Sequence, residues 1–271
     1  GVLKLKSPLR YPGGKTRAVK TIMEFIPEDC GELCSPFLGG GSVELTLAEK
    51  GIKVHGYDLF EPLTWFWKAL LESPQELARV VGSFRKDHSL FELNDIKVKG
   101  LLKEDFTKIR EELREESKYS ITNAAKFYAI NRSSFSGATF SGGWSQRAAY
   151  ARFTNSSVER VRNFKEPNLS VKCEGFKESI SKHPDTFLYL DPPYMLGKKS
   201  DKLYGDKGST HSGFDHDGLH SLLTKRSNWV LSYNDCDDIR DLYCDYNIVE
   251  AKWSYGMNKS KKSSELLIIA K

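Results

Sequence analysis

Cysteine is scarce in this chain and poorly spaced for metal or disulfide chemistry. Five cysteines, Cys30, Cys34, Cys173, Cys236 and Cys244, are spread over 271 residues. An odd set without a Cys-x-x-Cys pair argues against a zinc ribbon and against a disulfide scaffold. A reduced, cytoplasmic, metal-free protein is the expectation. No apolar run approaches the length of a membrane helix. Lys4, Lys6 and Arg10 near the N-terminus are not followed by the apolar core of a signal peptide. Internal repeats and low-complexity tracts are missing, which excludes solenoids. Two nucleotide signatures are missing as well. The turn containing Gly39 and Gly41 has Glu44 where a dinucleotide fingerprint needs its third glycine. The segment Gly14-Lys15-Thr16 has Leu9 where a P-loop needs its first glycine, so nucleoside triphosphate hydrolysis is not expected.

What the chain does contain suits one large α/β domain, or one domain with an insert. Its hydrophobic share of 39% allows a sizeable core. The net charge is only +5, but it is unevenly distributed. Between residues 119 and 165 stand Lys126, Arg132, Arg147, Arg152, Arg160, Arg162 and Lys165, against the single acid Glu159. Localised basic charge suits either a polyanion partner or a solvated basic face.

Periodicity places a strand over 32–34, a glycine loop over 35–42, a helix over 43–50 closed by Gly51, and a second strand over 53–57 that ends at Asp58. Strand-like runs return at 187–190, 229–232, 246–251 and 266–270, with helices near 218–223 and 237–242. The middle differs. Leu102, Phe106, Ile109 and Leu113 recur at helical spacing, which marks a core stripe, and a second helix is expected over 122–131. A segment rich in serine, glycine and aromatic residues then runs from 133 to 150. Residues 61–165 therefore read as a mostly helical insert, between catalytic parts at 1–60 and 166–271.

Two motifs carry chemistry. In Pro36-Phe37-Leu38-Gly39-Gly40-Gly41-Ser42, glycines let a backbone approach a ligand closely. Asp58, at the end of the next strand, can accept hydrogen bonds from ribose hydroxyls. The acidic Glu44 suits a phosphate-free, cationic nucleoside better than a pyrophosphate, and S-adenosylmethionine is such a ligand. The second motif is Asp191-Pro192-Pro193-Tyr194, which follows the apolar run Phe187-Leu188-Tyr189-Leu190. A residue before proline is driven into extended geometry, so Asp191 sits at the carboxyl end of its strand. A carboxylate, main-chain carbonyls and an aromatic ring then share one stiff corner, which suits an exocyclic amine on a flat base.

In combination these residues resemble the adenine-N6 DNA methyltransferases of the Dam family, over nearly the whole chain and in the family's order. Leu9-Arg10-Tyr11-Pro12-Gly13-Gly14-Lys15 resembles the opening cofactor motif, with Tyr11 where many relatives have tryptophan. The glycine loop resembles the methionine-side loop, and Asp58 the ribose carboxylate. Lys172-Cys173-Glu174-Gly175-Phe176 resembles a segment that contacts the cofactor adenine. The stretch 261–267 is also similar to the family.

The resemblance implies a Rossmann-like sheet with a DNA-recognition insert, S-adenosylmethionine as cofactor, double-stranded DNA as partner and no metal; the sequence does not fix the oligomeric state, and a monomer is the expectation. It implies catalytic roles for Asp191, Pro192 and Tyr194. It implies cofactor contacts from Tyr11, Lys15, Phe37, Gly39, Gly41, Ser42, Asp58, Phe176 and Asp191. DNA contacts are expected from Arg132, Ser134, Phe135, Trp144 and Arg147, with Arg132 and Arg147 as base-edge donors and Lys259, Lys261 and Lys262 on phosphates. The target adenine is expected to leave the base stack, with Lys198, Lys199, Lys202 and Lys207 in a polar loop that closes over the flipped strand. A cytosine-N4 enzyme would usually carry serine in place of Asp191. A non-catalytic DNA-binding relative would not need Asp191, Tyr194 and Asp58 together.

Overall fold

A computed structural model describes residues 6–11, 15, 18–86, 92–93, 96–97, 99–196, 213–251 and 265–271. Lys198, Lys199, Lys202, Lys207, Lys259, Lys261 and Lys262 lie outside the described residues, as do Pro12, Gly13 and Gly14 of the opening motif.

The strands are β1 (Glu32–Ser35), β2 (Lys53–Asp58), β3 (Glu92–Leu93), β4 (Ile96–Lys97), β5 (Leu169–Cys173), β6 (Phe187–Leu190), β7 (Trp229–Asn234), β8 (Asn247–Ala251) and β9 (Glu265–Ile269). β3 and β4 pair with each other, and the other seven form one sheet in the order β5-β2-β1-β6-β7-β9-β8. β5, β2, β1, β6 and β7 run parallel, whereas β9 is antiparallel to both β7 and β8. This is a Rossmann-like α/β architecture, as the sequence led us to expect. β5 was not anticipated. Its alternating Leu169-Ser170-Val171-Lys172-Cys173 is mostly exposed, because it forms the sheet edge beside β2.

Strand side chains alternate between two cores. Leu33, Val54, Tyr189, Val230 and Leu267 face one cluster. Cys34, Leu188, Leu190, Leu231, Leu266 and Ile268 face the other. Such doubly buried strands read as continuous apolar runs. The first cluster is covered by α1 (Val19–Met23), α2 (Ser42–Glu49) and the insert helices. The second is covered by α9 (Phe176–Ser181), α10 (His216–Leu223) and α11 (Asp237–Leu242).

The insert helices are α3 (Glu61–Glu72), α4 (Pro74–Phe84), α5 (Lys103–Glu115), α6 (Ile121–Ser133), α7 (Gln146–Arg152) and α8 (Asn155–Arg162). α5 buries Phe106, Ile109 and Leu113, the helical stripe read from the sequence. Ser120 caps α6 by accepting from the Asn123 amide. α6 is the hub, and its Tyr128 stacks on Phe66 of α3 with centroids 5.2 Å apart. Leu63, Phe66 and Trp67 of α3 belong to the same cluster as Val54 and Leu169 of the sheet. Insert and sheet thus share a core.

The end of α6 departs from expectation. Arg132, expected to reach a base edge, is only 7% exposed. Its Nε donates to the Arg152 carbonyl at 2.8 Å and its Nη1 to the Pro8 carbonyl at 3.2 Å. Burial pushes this guanidinium down to about 10, which still leaves it charged at neutral pH. Ser134, expected on DNA, is fully buried, donating to the Asn131 carbonyl and accepting from the Thr139 amide. Asn131 exchanges hydrogen bonds with both main-chain groups of Arg10. These three residues bind the N-terminal segment to the insert. Periodicity could not show this, because α6 buries side chains on every face over its last turns.

Replacing Arg132 by methionine should therefore cost about 3 kcal/mol of stability, since two buried carbonyls lose a charged donor. Urea unfolding measures this. A loss of discrimination at one DNA position with unchanged stability would restore the base-reading role.

Candidate active site

Ligands in open α/β sheets bind beyond the carboxyl ends of the strands, where the strand order reverses. Here the reversal lies at β1, flanked by β2 on one side and β6 on the other. The loop after β1, Asp58 at the end of β2 and Asp191 just after β6 therefore converge. They line a cavity of about 800 Å³.

The glycine loop is held from below and from above. The Gly39 amide donates to Asp58 Oδ2 at 2.9 Å, and the Phe60 amide to Oδ1 at 3.0 Å. The Trp67 indole N–H, from the first insert helix, donates to the Gly39 carbonyl at 3.1 Å. Gly41 has a left-handed φ of 73°, and a Cβ there would meet the Trp67 ring at 2.9 Å. A Cβ at Gly40 would meet Tyr11 at 2.8 Å, so Tyr11 lies directly on the loop. Ser42 opens α2 and lines the same cavity. Phe37 and Phe176 stand 5.8 Å apart, and Phe214 closes a ring cluster at 5.6 Å from the first and 5.1 Å from the second. Phe214 was not anticipated. Nothing in its local sequence marks it, because it joins the cluster only through the fold.

Asp191 is 25% exposed and faces the cavity beside Pro192, Pro193 and Tyr194. Lys15 sits 3.3 Å from Asp191 Oδ1 and 2.7 Å from Glu265 Oε1, with both Lys15 and Glu265 almost fully buried. The Tyr194 hydroxyl also donates to Glu265 Oε1. Lys15 Nζ lies 5.7 Å from the Tyr194 ring centroid. Burial pushes the Asp191 carboxyl up to about 6, against the lowering effect of Lys15 and with a further raising effect from Glu265. Asn234, the last residue of β7, clasps the main chain of Met195 with two bonds of 2.9 Å, which fixes the exit from the motif. Lys15 thus serves the Asp191 corner, and Glu265 is a member of the site that local sequence reading passed over.

The cavity wall fits a cationic nucleoside. Glu44, Asp58, Glu174, Asp191 and Asp215 line it, against Lys15 and Lys177. That balance disfavours a pyrophosphate. The ring cluster, the glycine backbone and Asp58 could hold a base, a chain and a ribose respectively. Among the described residues no group of three or more His, Cys, Asp or Glu side chains could hold a metal ion, and no helix is long and apolar enough to cross a membrane.

The expected DNA contacts separate into two sets. Phe135 is 68% exposed, and Arg147 is exposed as well. Trp144 is half-buried, and its indole N–H donates to the Leu101 carbonyl at 2.8 Å. Trp144 therefore anchors the tip. Tyr150, at 43% exposure, is an additional accessible ring.

Glu44 generates a prediction. It is 2% exposed and is bonded to Ser35 Oγ at 2.5 Å. Burial pushes its carboxyl from 4.5 up to about 8. The folded chain then holds this proton more tightly than the unfolded chain, so stability falls as pH rises through that window. Glu44→Gln should abolish the effect, becoming more stable than the parent by about 2–5 kcal/mol at pH 9 relative to pH 5. Denaturant unfolding of both proteins at the two pH values tests this, and parallel pH profiles would contradict the assignment.

Residues 11–257 match the profile of the family described as D12 class N6 adenine-specific DNA methyltransferase. The chain is 22% identical over 288 residues to the type II methyltransferase M1.LlaDCHI of Lactococcus lactis subsp. cremoris, covering 98% of this chain and 95% of the relative. It is 22% identical over 275 residues to M.CviBI of Paramecium bursaria Chlorella virus NC1A, covering 97% and 96%. It is 26% identical over 217 residues to M.MjaIII of Methanocaldococcus jannaschii, covering 73% and 72%. A methyltransferase of this kind uses S-adenosylmethionine as methyl donor, which the cavity fits, and takes DNA as substrate. On the extent of the profile match, this chain belongs to the D12 class of DNA methyltransferases.

Proposed function

We propose that the chain methylates N6 of adenine in double-stranded DNA at a specific site, with the target base turned out of the helix. The observation that carries this reading is the Asp191-Pro192-Pro193-Tyr194 corner opening into the cavity that also holds the glycine loop and Asp58. An amine inside a base stack cannot reach such a corner, so the base must be extruded.

S-adenosylmethionine supplies an already activated methyl group on a sulfonium. The protein's task is alignment, which can contribute roughly 7–11 kcal/mol. Asp58 accepts from the ribose hydroxyls, and Phe37 and Phe176 enclose the cofactor adenine. Gly39 and Gly41 allow close approach of the methionine chain, with Ser42 and Tyr11 beside it. The Tyr194 ring stacks on the target adenine. The Asp191 carboxylate accepts one N6 hydrogen, and the Pro192 carbonyl accepts the other. Those two bonds leave the nitrogen lone pair directed at the methyl carbon; as the N–C bond formed, the S–C bond would break with its electron pair kept by sulfur, giving S-adenosylhomocysteine, and one N6 proton would leave to solvent. Lys15 keeps the Asp191 carboxylate ionised and in place.

Residues 61–165 form the DNA-recognition part in this reading. Phe135 projects from a tight turn in which Ser136 holds a left-handed φ of 53°. An exposed ring held by a strained turn suits contact with bases at a deformed step. Arg147 is the accessible base-edge donor. Lys259, Lys261 and Lys262 remain assigned to phosphates.

The direct test is nucleoside analysis of plasmid DNA incubated with the protein and S-adenosylmethionine. N6-methyladenine is expected, and methylation confined to cytosine would overturn the reading. Asp191→Ala should lower kcat by at least ~100-fold, the scale for losing a positioned transition-state contact, with a much smaller effect on cofactor affinity. Because Asp191 must be ionised and burial has pushed it up to about 6, kcat/KM should rise with pH through about 6 and level off above. A profile flat from pH 5 to 8 would remove Asp191 from the reaction.

Reading and holding should also separate. Arg147→Ala should relax one position of the site, at about 1–3 kcal/mol of discrimination. Neutralising Lys259, Lys261 and Lys262 should weaken binding to all duplexes and lower the salt slope by ~0.9 per contact. Methylation across a randomised-site library, with salt-dependent binding, measures both. An unaltered preference profile for Arg147→Ala would remove its reading role.

A further inference from the structure

Glu265 does not line the cavity, yet three elements of the site meet on it. It is the first residue of β9, it is 1% exposed, and it pairs across the sheet with Asn234. Its Oε1 accepts from Lys15 Nζ at 2.7 Å and from the Tyr194 hydroxyl. Its Oε2 accepts from Ser232 Oγ at 3.2 Å. Lys15 reaches Asp191 Oδ1 at 3.3 Å from the same position. A lysine ammonium on a flexible four-carbon stem is poorly placed by one partner. A tyrosine ring without a hydroxyl partner can swing about its own stem. Both freedoms are removed by one buried carboxylate, which Ser232 holds in turn.

We propose that Glu265 is a positioning residue for methyl transfer, fixing the Tyr194 ring through its hydroxyl and the Asp191 carboxylate through Lys15. This rests on the reading in which Asp191 and Tyr194 engage the target base. Glu265 has no contact with that base. It acts by setting where the two groups that touch the base come to rest. Productive geometry tolerates little slack, and a misplacement on the scale of 1 Å can cost ~100-fold in rate.

The charges facing Asp191 make the role measurable. Lys15 and Glu265 approach it from one side, with Tyr194 against Lys15, and Glu44 and Tyr11 lie within electrostatic reach. Lys15 lowers the Asp191 carboxyl and Glu265 raises it. Glu265→Gln keeps the size and an acceptor for the tyrosine, but removes the charge and frees Lys15 for Asp191 alone. The acid limb of kcat/KM should therefore move to lower pH.

The experiment uses the full chain with S-adenosylmethionine and duplex DNA. It compares wild type, Glu265→Gln, Tyr194→Phe and the double variant. Nucleoside analysis, single-turnover rates, kcat/KM against pH, calorimetric cofactor affinity and thermal melting are recorded. Glu265→Gln should lose at least about tenfold in rate, the scale of a hydrogen bond to a charged group. Its cofactor affinity should stay within about threefold, a change too small to reflect a lost direct contact. Tyr194→Phe should lose less, and the double variant should lose less than the product of the two, because both act through one carboxylate.

An active wild type with an unaltered Glu265→Gln rate and pH profile overturns the inference. So does equal loss of rate and cofactor affinity with an unmoved acid limb, which marks a scaffold role. If Glu265→Gln fails to melt cooperatively, Tyr194→Phe decides alone, and an unchanged rate there overturns the inference. A wild type that leaves adenine unmethylated overturns the functional reading, and this inference with it.

Discussion

One buried ammonium holds the Asp-Pro-Pro-Tyr corner together. Lys15 comes from the segment before α1, Asp191 from the loop after β6 and Glu265 from the start of β9. A charge taken out of water must be paired, and removing one partner of such a group typically costs 3–5 kcal/mol. The chain must therefore bring all three segments together before this region can close. Its value is geometric more than energetic, because well-packed apolar groups of equal size often stabilise as well as a buried ion pair does. The topology makes the meeting possible. β9 runs against its neighbours, so its first residue lands on the edge where the parallel strands end. A parallel final strand would have delivered its last residue there instead.

A second set of contacts joins the helical insert to the glycine loop. Trp67 belongs to the first insert helix, yet its indole N–H holds the Gly39 carbonyl and its ring occupies the space a Cβ at Gly41 would need. Asn131 and Arg132, at the end of the hub helix, hold Arg10 and Pro8 just ahead of Tyr11. The insert is thus continuous with the floor and wall of the cavity. A displacement of these helices would be felt by the glycine loop through Trp67 and by Tyr11 through the N-terminal segment. Packed interiors transmit such shifts because they have little free volume to absorb them.

What the sequence made legible follows from how far each signal reaches. The glycine loop, Asp58 and the Asp-Pro-Pro-Tyr corner are local. Each carries its own backbone signature, and the alternation of turn, strand and helix around them is enough to place them on one sheet edge. Phe187–Leu190 and Asp237–Leu242 form with the expected bounds. β5 escaped because an exposed edge strand with Ser170 and Lys172 lacks an apolar run. Arg132 and Ser134 were misplaced for the opposite reason. A basic residue and a serine beside a glycine-rich tip suggest an exposed surface, while the fold wraps them in carbonyls. Glu265 and Phe214 were passed over because their partners lie far away in the chain. Glu265 lies in the stretch 261–267 that resembles the family, but that likeness carries no role for it, and its other local hint is an acid opening an otherwise apolar strand, a position where a charge needs a partner.

The charge balance of the cavity explains why these carboxylates tolerate one another. Glu44 is pushed to about 8 and is neutral at physiological pH, held by Ser35. Asp58 is anchored by two main-chain amides. Asp191 and Glu265 share the single charge of Lys15, which leaves that cluster one negative charge in excess. A cationic cofactor offsets the excess on arrival. In the proposed geometry the accepting nitrogen lies against Asp191, so the positive charge that methylation would bring onto that nitrogen would develop beside this carboxylate. The negative cluster is therefore placed where positive charge appears, and a preorganised group at that point is worth more than the same group in water. In this reading the ion cluster that fixes the corner also supplies the field that the reaction needs.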